Sequence, residues 1–520
     1  MEHLTYDIRS GDFNGAGAAS RDLKHHLKRI GAESDSVRRA MIAAYEAEMN
    51  VVIHADGGRL EATVSDGQLD VDVVDRGPGI PDIPRAMHEG FSTASSEARA
   101  LGFGAGMGLP NIERNADRIR VTSTVGEGTR VSFSVMLRPE AADQGARPSS
   151  LGTVPESCRD CRHCLVACPT AAVRVHDARP SVMDHVCIDC TCCIAACAPG
   201  ALTMLDAPGE LTGDGGVLAV PPALLAGFGE HPAGTVLDEL HGLGFSEVVS
   251  VHPYEDALRR DVLDRAATGE GPAPVISPVC PAVVNLIEVR FPALVKHLAP
   301  LASPWEALQR DLGERDATFA VSCPSQRTAL LSQQPTAQRQ TVSVRLVREA
   351  LLPRLAARRP APGDGAPRPQ AAGADDLLVV SGVSHVLAVL EEIEDGQLGG
   401  VTAVEPYICD GGCFGSPLLA EDAFVAAWRW AASAGDASDG GHSLERSRPF
   451  RARPGIRLDA DMAVAIRKLA QLDAETTALP GKDCGVCGAP TCAALAEDIV
   501  MERASQALCP YVKTEEGTAS

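Results

Sequence analysis

Cysteine spacing constrains this chain more than any other feature. Cys158, Cys161, Cys164 and Cys168 run Cys-x2-Cys-x2-Cys-x3-Cys-Pro, and Cys187, Cys190, Cys193 and Cys197 repeat the pattern. Spacing this tight lets one loop wrap three corners of an iron–sulfur cubane while the fourth thiolate crosses to a second cluster. Zinc ribbons also use Cys-x2-Cys pairs, but the doubled four-cysteine pattern exceeds what one zinc site needs. A disulfide framework belongs to small exported domains. This chain has 520 residues and 17 cysteines, and Met1 to Ser10 lacks the positive charge and apolar block of an export signal. A cytoplasmic location is expected. Cys192, inside the second repeat, reads as a small buried hydrophobe rather than a ligand.

The chain is too long for one ordinary hydrophobic core. Pro-, Gly- and Ala-rich stretches at residues 138–150, 358–375 and 434–441 divide it. The division predicts segments 1–137, 152–207, 215–450 and 456–520, multidomain in fold and mixing α/β with α+β modules. The net charge of −22 repels phosphate backbones and anionic lipid, so neither nucleic acid nor a membrane is an expected partner. No apolar run reaches the roughly 18–20 residues that span a bilayer.

In the first segment Val37, Met41, Ala44 and Tyr45 recur at helical spacing. Leu69, Val71 and Val73, then Val131, Phe133, Val135 and Leu137, alternate as strands do. Glu46 and Asn50 are four apart on the predicted helix and share a face. The Asn carbonyl can hold Mg2+ while the carboxylate handles a proton. Asp75-Arg76-Gly77-Pro78-Gly79 follows a strand and puts a carboxylate at its end, where it can accept a hydrogen bond from an adenine amino group. Gly102, Gly104, Gly106 and Gly108 then offer unhindered amides ahead of a helix, a cradle suited to phosphates.

In this order the three segments resemble the ATP-binding fold shared by gyrase, Hsp90 and histidine kinases, the GHKL superfamily. Tyr45-Glu46-Ala47-Glu48-Met49-Asn50, with His54 behind it and Gly126-Glu127-Gly128-Thr129 near the end, looks most like the anti-sigma-factor serine kinases. The resemblance implies ATP and Mg2+ bound by Asn50, Asp75, Gly77, Gly79, Gly102, Gly104, Gly106, Gly108 and Thr129, with Glu46 as general base toward a protein serine. A small anti-anti-sigma-type protein is the implied substrate. His25 and His26 read as surface residues, because no phospho-accepting helix pair surrounds them.

The doubled cysteine motif resembles the bacterial two-cluster ferredoxins. That resemblance implies one cluster on Cys158, Cys161, Cys164 and Cys197 and another on Cys187, Cys190, Cys193 and Cys168. Ala198 stands where that family has proline directly after the last cysteine.

Ser277-Pro278-Val279-Cys280-Pro281, Val321-Ser322-Cys323-Pro324 and Glu405-Pro406-Tyr407-Ile408-Cys409-Asp410-Gly411-Gly412-Cys413 resemble the three signatures of [FeFe]-hydrogenase catalytic domains. The implied cubane ligands are Cys280, Cys323, Cys409 and Cys413. The departures matter for chemistry. Val279 replaces a proton-passing cysteine, Gln326 and Ala329 stand in place of a lysine and a glutamate, and Val321 and Tyr407 replace methionines. Proton transfer needs a titratable group in reach, so hydrogen turnover is not expected.

Cys484, Cys487 and Cys492, followed by a helix predicted over Ala493 to Gln506 and then Cys509-Pro510, resemble the small [4Fe-4S] domain of electron-transfer subunits; a zinc knuckle is the alternative. Up to four [4Fe-4S] clusters, ATP and Mg2+ are thus the expected cofactors. The whole reads as a redox-sensing regulator whose clusters exchange electrons with a redox partner protein and bias a kinase domain. An electron-transferring oxidoreductase or atypical hydrogenase gated by ATP is the competing reading.

Overall fold

The computed structural model describes residues 2–92 save 14 and 66, 106–137, 150–332 save 205, 207–210, 212, 214 and 230, 339–358, 377–433, and 442–512 save 454–456 and 460. The predicted linkers at 138–150, 358–375 and 434–441 lie almost wholly outside the described residues, as do Gly102 and Gly104. The chain groups into two compact units, residues 1–142 with 456–482 and 492–520, and residues 143–455 with 483–491.

In the first unit, alternation builds a five-stranded antiparallel sheet from β1 (Glu2–Ile8), β2 (Gly58–Ser65), β3 (Gln68–Asp75), β4 (Arg118–Thr124) and β5 (Gly128–Met136), in the order β1-β2-β3-β5-β4. Leu60, Ala62 and Val64 pair with Val73, Val71 and Leu69. All six are buried, at 3 % exposure or less, because every second residue turns to the same face. Helices α1 (Ala18–Arg29), α2 (Ser34–His54) and α3 (Gly108–Asn115) pack together. The stripe Ala40, Ala43, Ala44, Ala47 and Val51 along α2 is fully or almost fully buried.

Residues 457–482 and 492–512 add to this unit. The helix Met462–Ala478 packs against α1. There Leu458 donates its N–H to the Arg29 carbonyl at 3.0 Å, Arg29 pairs with Glu497 at 2.5 Å, and His26 lies between Asp22 at 3.6 Å and Asp473 at 3.7 Å. His26 is consequently largely covered, which corrects its expected surface position; His25 is exposed as anticipated. The predicted helix Ala493 to Gln506 is also shorter than expected. It runs Cys492–Val500 and stops at Glu502, whose φ of +59° leaves the right-handed helical region.

The second unit carries the remaining strands: β6 (Leu151–Thr153), β7 (Val173–His176), β8 (Arg179–Val182), β9 (Leu202–Met204), β10 (Val217–Val220), β11 (Glu247–Ser250), β12 (Val275–Ile276), β13 (Ala317–Val321), β14 (Arg339–Ser343), β15 (Leu377–Ser381) and β16 (Ala403–Tyr407). The antiparallel pair β6-β9 flanks the doubled cysteine motif and the pair β7-β8 lies between its two halves. Two parallel sheets follow, ordered β11-β10-β13-β14 and β12-β16-β15. Val217, Leu218, Ala219 and Val220 are all buried, as a parallel strand covered on both faces requires. Among the described residues no helix is long and apolar enough to cross a membrane.

Candidate functional site

A cavity of about 680 Å³ opens in the first unit, lined in part by Glu46, Asn50, Asp75, Gly79, Gly106, Gly108 and Thr129. Helix α2 contributes Glu46 and Asn50 from one face. Glu48, two residues along and therefore turned away, is 3 % exposed; it accepts the N–H groups of Gly17 at 3.0 Å and Ser20 at 3.3 Å. One glutamate of the pair thus holds the start of α1 while the other faces the cavity.

Asp75 ends β3. Its Oδ1 accepts the N–H of Gly77 at 2.9 Å and of Thr129 at 3.1 Å; Gly77 itself does not line the cavity. Burial raises the Asp75 pKa although these two donors oppose the shift. Glu46 is oriented by Asn111, whose Nδ2 donates to Oε1 at 2.6 Å. Sequence reasoning missed Asn111; its place three residues after Gly108, one turn into α3, was the available signal.

The residues present fit a phosphate-bearing ligand. Among the described residues Asn50 Nδ2 is buried without a hydrogen-bond partner, a state that costs free energy unless a ligand or its water shell completes it. A β-carbon at Gly108 would sit 2.8 Å from Asn50 Oδ1, so Gly108→Ala is expected to displace Asn50. ATP affinity should fall by at least tenfold, measured by calorimetry with Mg-ATP against the parent protein.

The second unit gathers thiols. Cys158, Cys161, Cys164 and Cys197 line one cavity, and burial with the neighbouring Cys197 and Cys161 pushes the Cys164 thiol up to about 11. Burial raises the Cys193 thiol, and the neighbouring Cys168, Cys187, Cys192 and Cys164 add to the shift; the neighbouring Cys192 and burial raise Cys190. Backbone N–H groups point at two of these sulfurs, Ala172 at Cys168 over 3.1 Å and Asp189 at Cys187 over 3.4 Å. Cys192 is partly buried among apolar neighbours, and the neighbouring Cys190 thiol lowers its pKa, an interaction its reading as a plain hydrophobe did not include.

A third cavity is lined by Cys280, Cys323, Cys409 and Cys413 together with Cys190, Gln326, Tyr407 and Ser416. Cys280 and Cys323 stand immediately before the helices Pro281–Arg290 and Pro324–Leu331, where the first-turn N–H groups have no intrahelical acceptor. Burial raises all four thiols, Cys323 up to about 12. The departure Tyr407 donates its hydroxyl to Glu405, which also receives Arg259 Nε at 2.9 Å; Val279 is buried.

Cys484 and Cys487 belong to the second unit, on a loop held by Val175 N–H to the Gly488 carbonyl at 3.0 Å and by Arg162 Nη1 to the Gly485 carbonyl at 3.0 Å. Cys492 opens the helix Cys492–Val500 and Cys509 follows the turn Gln506–Leu508, both in the first unit.

Among the described residues no three His, Cys, Asp or Glu side chains close on a single-ion site. Two of the four cysteine groups line cavities, Cys158, Cys161, Cys164 and Cys197 one and Cys280, Cys323, Cys409 and Cys413 another.

Comparison with known proteins follows the same divisions. The family model for "Histidine kinase-, DNA gyrase B-, and HSP90-like ATPase" matches residues 36–139. That for "Iron only hydrogenase large subunit, C-terminal domain" matches residues 216–315, and "Putative Fe-S cluster" matches residues 479–511. The fold and cavities thus define a GHKL-type ATP-binding domain fused to iron–sulfur domains. Serine/threonine-protein kinase RsbT of Bacillus subtilis (strain 168) is 32 % identical over 125 residues, 23 % of this chain and 88 % of RsbT. Through its N-terminal domain the chain belongs to that family of anti-sigma-type kinases. An anti-sigma F factor of Caldanaerobacter subterraneus subsp. tengcongensis is 33 % identical over 103 residues, 20 % of this chain and 64 % of its relative, so the chain spans somewhat under two thirds of that protein. Among solved structures, apo [FeFe]-hydrogenase HydA1 from Chlamydomonas reinhardtii aligns with 46 % of this chain and 87 % of its own, at 13 % identity and a TM-score of 0.33, a loose superposition. In general outline this is a regulatory iron–sulfur protein with an ATP-binding, anti-sigma-type domain.

Proposed function

We propose that this protein is a redox-responsive serine kinase of the anti-sigma type. Clusters held in its second unit exchange electrons with a redox partner protein, and their oxidation state sets the rate at which the N-terminal domain transfers phosphate from Mg-ATP to a small anti-anti-sigma-type protein. In this reading Asn50 binds Mg2+, Glu46 accepts the proton of the substrate serine, and the glycine-lined side of the cavity takes the phosphates. Segment 1–137 does the nucleotide chemistry, 152–207 relays electrons through two clusters, 215–450 holds a third, and 456–520 supplies ligands for a fourth. The protein acts in the cytoplasm.

The observation that carries the proposal is the oriented pair at the ATP cavity. Asn111 holds Glu46 facing the cavity in the same helix turn as the unpartnered Asn50 amide, an arrangement with no purpose in a cavity that only fills space. Coupling to the clusters requires that ATP or substrate affinity differ between two cluster states. The test is phosphate transfer from labelled Mg-ATP to an anti-anti-sigma-type protein, run anaerobically with the full chain poised oxidised and then reduced. A several-fold difference in initial rate is expected. Equal rates in the two states would remove the redox role, and no labelled serine in either would remove the kinase role.

A further inference from the structure

The sulfur of Cys413 has a partner on another element. Gln326 lies in the first turn of the helix Pro324–Leu331 and is 3 % exposed. Its Oε1 accepts the backbone N–H of Ser322 at 2.7 Å. That bond fixes which end of the amide faces outward, because only the oxygen can accept. Nε2 is left to donate to Cys413 Sγ at 3.6 Å. The loop carrying Cys413 is tied to the same place, since Ser416 Oγ donates to the Ser322 carbonyl at 2.5 Å. Ser322 therefore holds both the amide and the loop that brings Cys413 to it.

Two hydroxyls approach the other sulfurs of this cavity. Ser325 Oγ is 3.0 Å from Cys323 Sγ, and Thr191 Oγ1 is 4.0 Å from Cys409 Sγ. A hydroxyl rotates and can turn its hydrogen elsewhere. The Gln326 amide cannot, because its oxygen is anchored. It is the fixed side-chain donor of the group.

We propose that Gln326 is a positioning residue that sets the reduction potential of the cluster held by Cys280, Cys323, Cys409 and Cys413, keeping it above the value the same four thiolates would give unaided. The inference rests on the reading that these thiols bind a cubane. Reduction adds one electron, taking [4Fe-4S] from the 2+ to the 1+ state, and the added negative charge spreads onto the sulfurs. An N–H aimed at a sulfur stabilises the reduced form more than the oxidised form, and burial strengthens the effect. The electron comes from a one-electron donor of lower potential, dithionite in the experiment below. The position held by lysine in the family that this segment resembles is thus occupied by a neutral donor aimed at a ligand sulfur.

The experiment is an electron paramagnetic resonance titration with dithionite on the full-length, anaerobically purified protein, comparing the parent with Gln326→Leu and Gln326→Glu. Iron and sulfide are counted in each preparation. In Gln326→Leu one cluster signal is expected to move to lower potential. The shift should be about tenfold in its reduced-to-oxidised ratio at a fixed ambient potential, which is about 59 mV for one electron. The other signals should stay in place. Gln326→Glu keeps the anchoring oxygen, replaces the donor by an acceptor and should move the same signal at least as far. An unchanged potential with full cluster content in both variants would overturn the proposal. If neither Cys280→Ser nor Cys323→Ser removed a cluster from the parent, the underlying ligand assignment would be overturned instead. Should both variants lose the cluster, labelling the parent with glutamine carrying 15N only in the side-chain amide decides the matter, because the Gln326 backbone N–H also approaches Cys323. A 15N hyperfine coupling on the reduced cluster supports the hydrogen bond, and its absence refutes it.

Discussion

Glu46→Gln is expected to lower serine phosphorylation by about 10²- to 10⁴-fold, the span typical of losing a general base, while Mg-ATP affinity changes by no more than a few-fold. The substitution keeps the length and planarity of the side chain, and its carbonyl oxygen can still accept the Asn111 amide, which reaches Glu46 Oε1 at 2.6 Å. What disappears is the capacity to take a proton. Asn50, Asp75 and the glycines that shape the cavity are untouched, so binding should persist. Steady-state phosphate transfer and calorimetric ATP binding, measured on the same preparation, separate the two quantities. A rate within a few-fold of the parent would assign the proton to another group. A parallel loss of binding would make Glu46 a structural residue like Glu48, whose carboxylate already serves the N–H groups that open α1.

The second large effect concerns which cysteines share a cluster. Cys197→Ala should remove one cluster with its about four irons, and so should Cys158→Ala. The double variant should lose about four irons rather than eight, because both thiols serve the same cluster and removals within one unit do not add. Cys197→Ala combined with Cys168→Ala should lose about eight. The basis is geometric: Cys197 lines the cavity of Cys158, Cys161 and Cys164, and Cys168 is not among its lining residues. If the Cys158 and Cys197 losses were additive, each cluster would draw all its ligands from one repeat, and the crossing would be wrong. Iron and sulfide analysis with Mössbauer spectra on anaerobic protein gives the answer.

What could be read from the sequence depended on how local the determining contacts are. The sheet of the first unit and helix α2 were legible because their burial repeats every two residues or along one helical face, as at Leu69, Val71 and Val73 or Ala40, Ala44 and Ala47. The doubled cysteine motif was legible because ligand spacing within a loop is itself geometric. Asp75 was found from its place at a strand end, although the N–H groups of Gly77 and Thr129 that hold it were not. Contacts between distant segments left no periodic trace. Gln326 meets Cys413 across 87 positions of chain, Asn111 meets Glu46 across 65, and Arg29 meets Glu497 across 468. The early stop of the last helix turned on a single residue, Glu502, whose positive φ its side chain gives no reason to expect. Cys280 and Cys323 stand alone in sequence; only the convergence of two helix starts and the loop after β16 brings them to Cys409 and Cys413.

The return of residues 457–482 and 492–512 to the first unit bears on how the chain is made. On a ribosome the face of α1 that receives the helix Met462–Ala478 waits for residues 143–455 to emerge before its cover exists. At about 5–20 residues per second that delay is on the order of 15–60 s. During it the cysteine-bearing unit is synthesised in full except for its loop at 483–491, giving iron–sulfur assembly a head start over completion of the ATP-binding unit. A chain cut short before residue 457 would leave Arg29, His26 and the apolar residues around them uncovered, a ready mark for quality control against half-built copies.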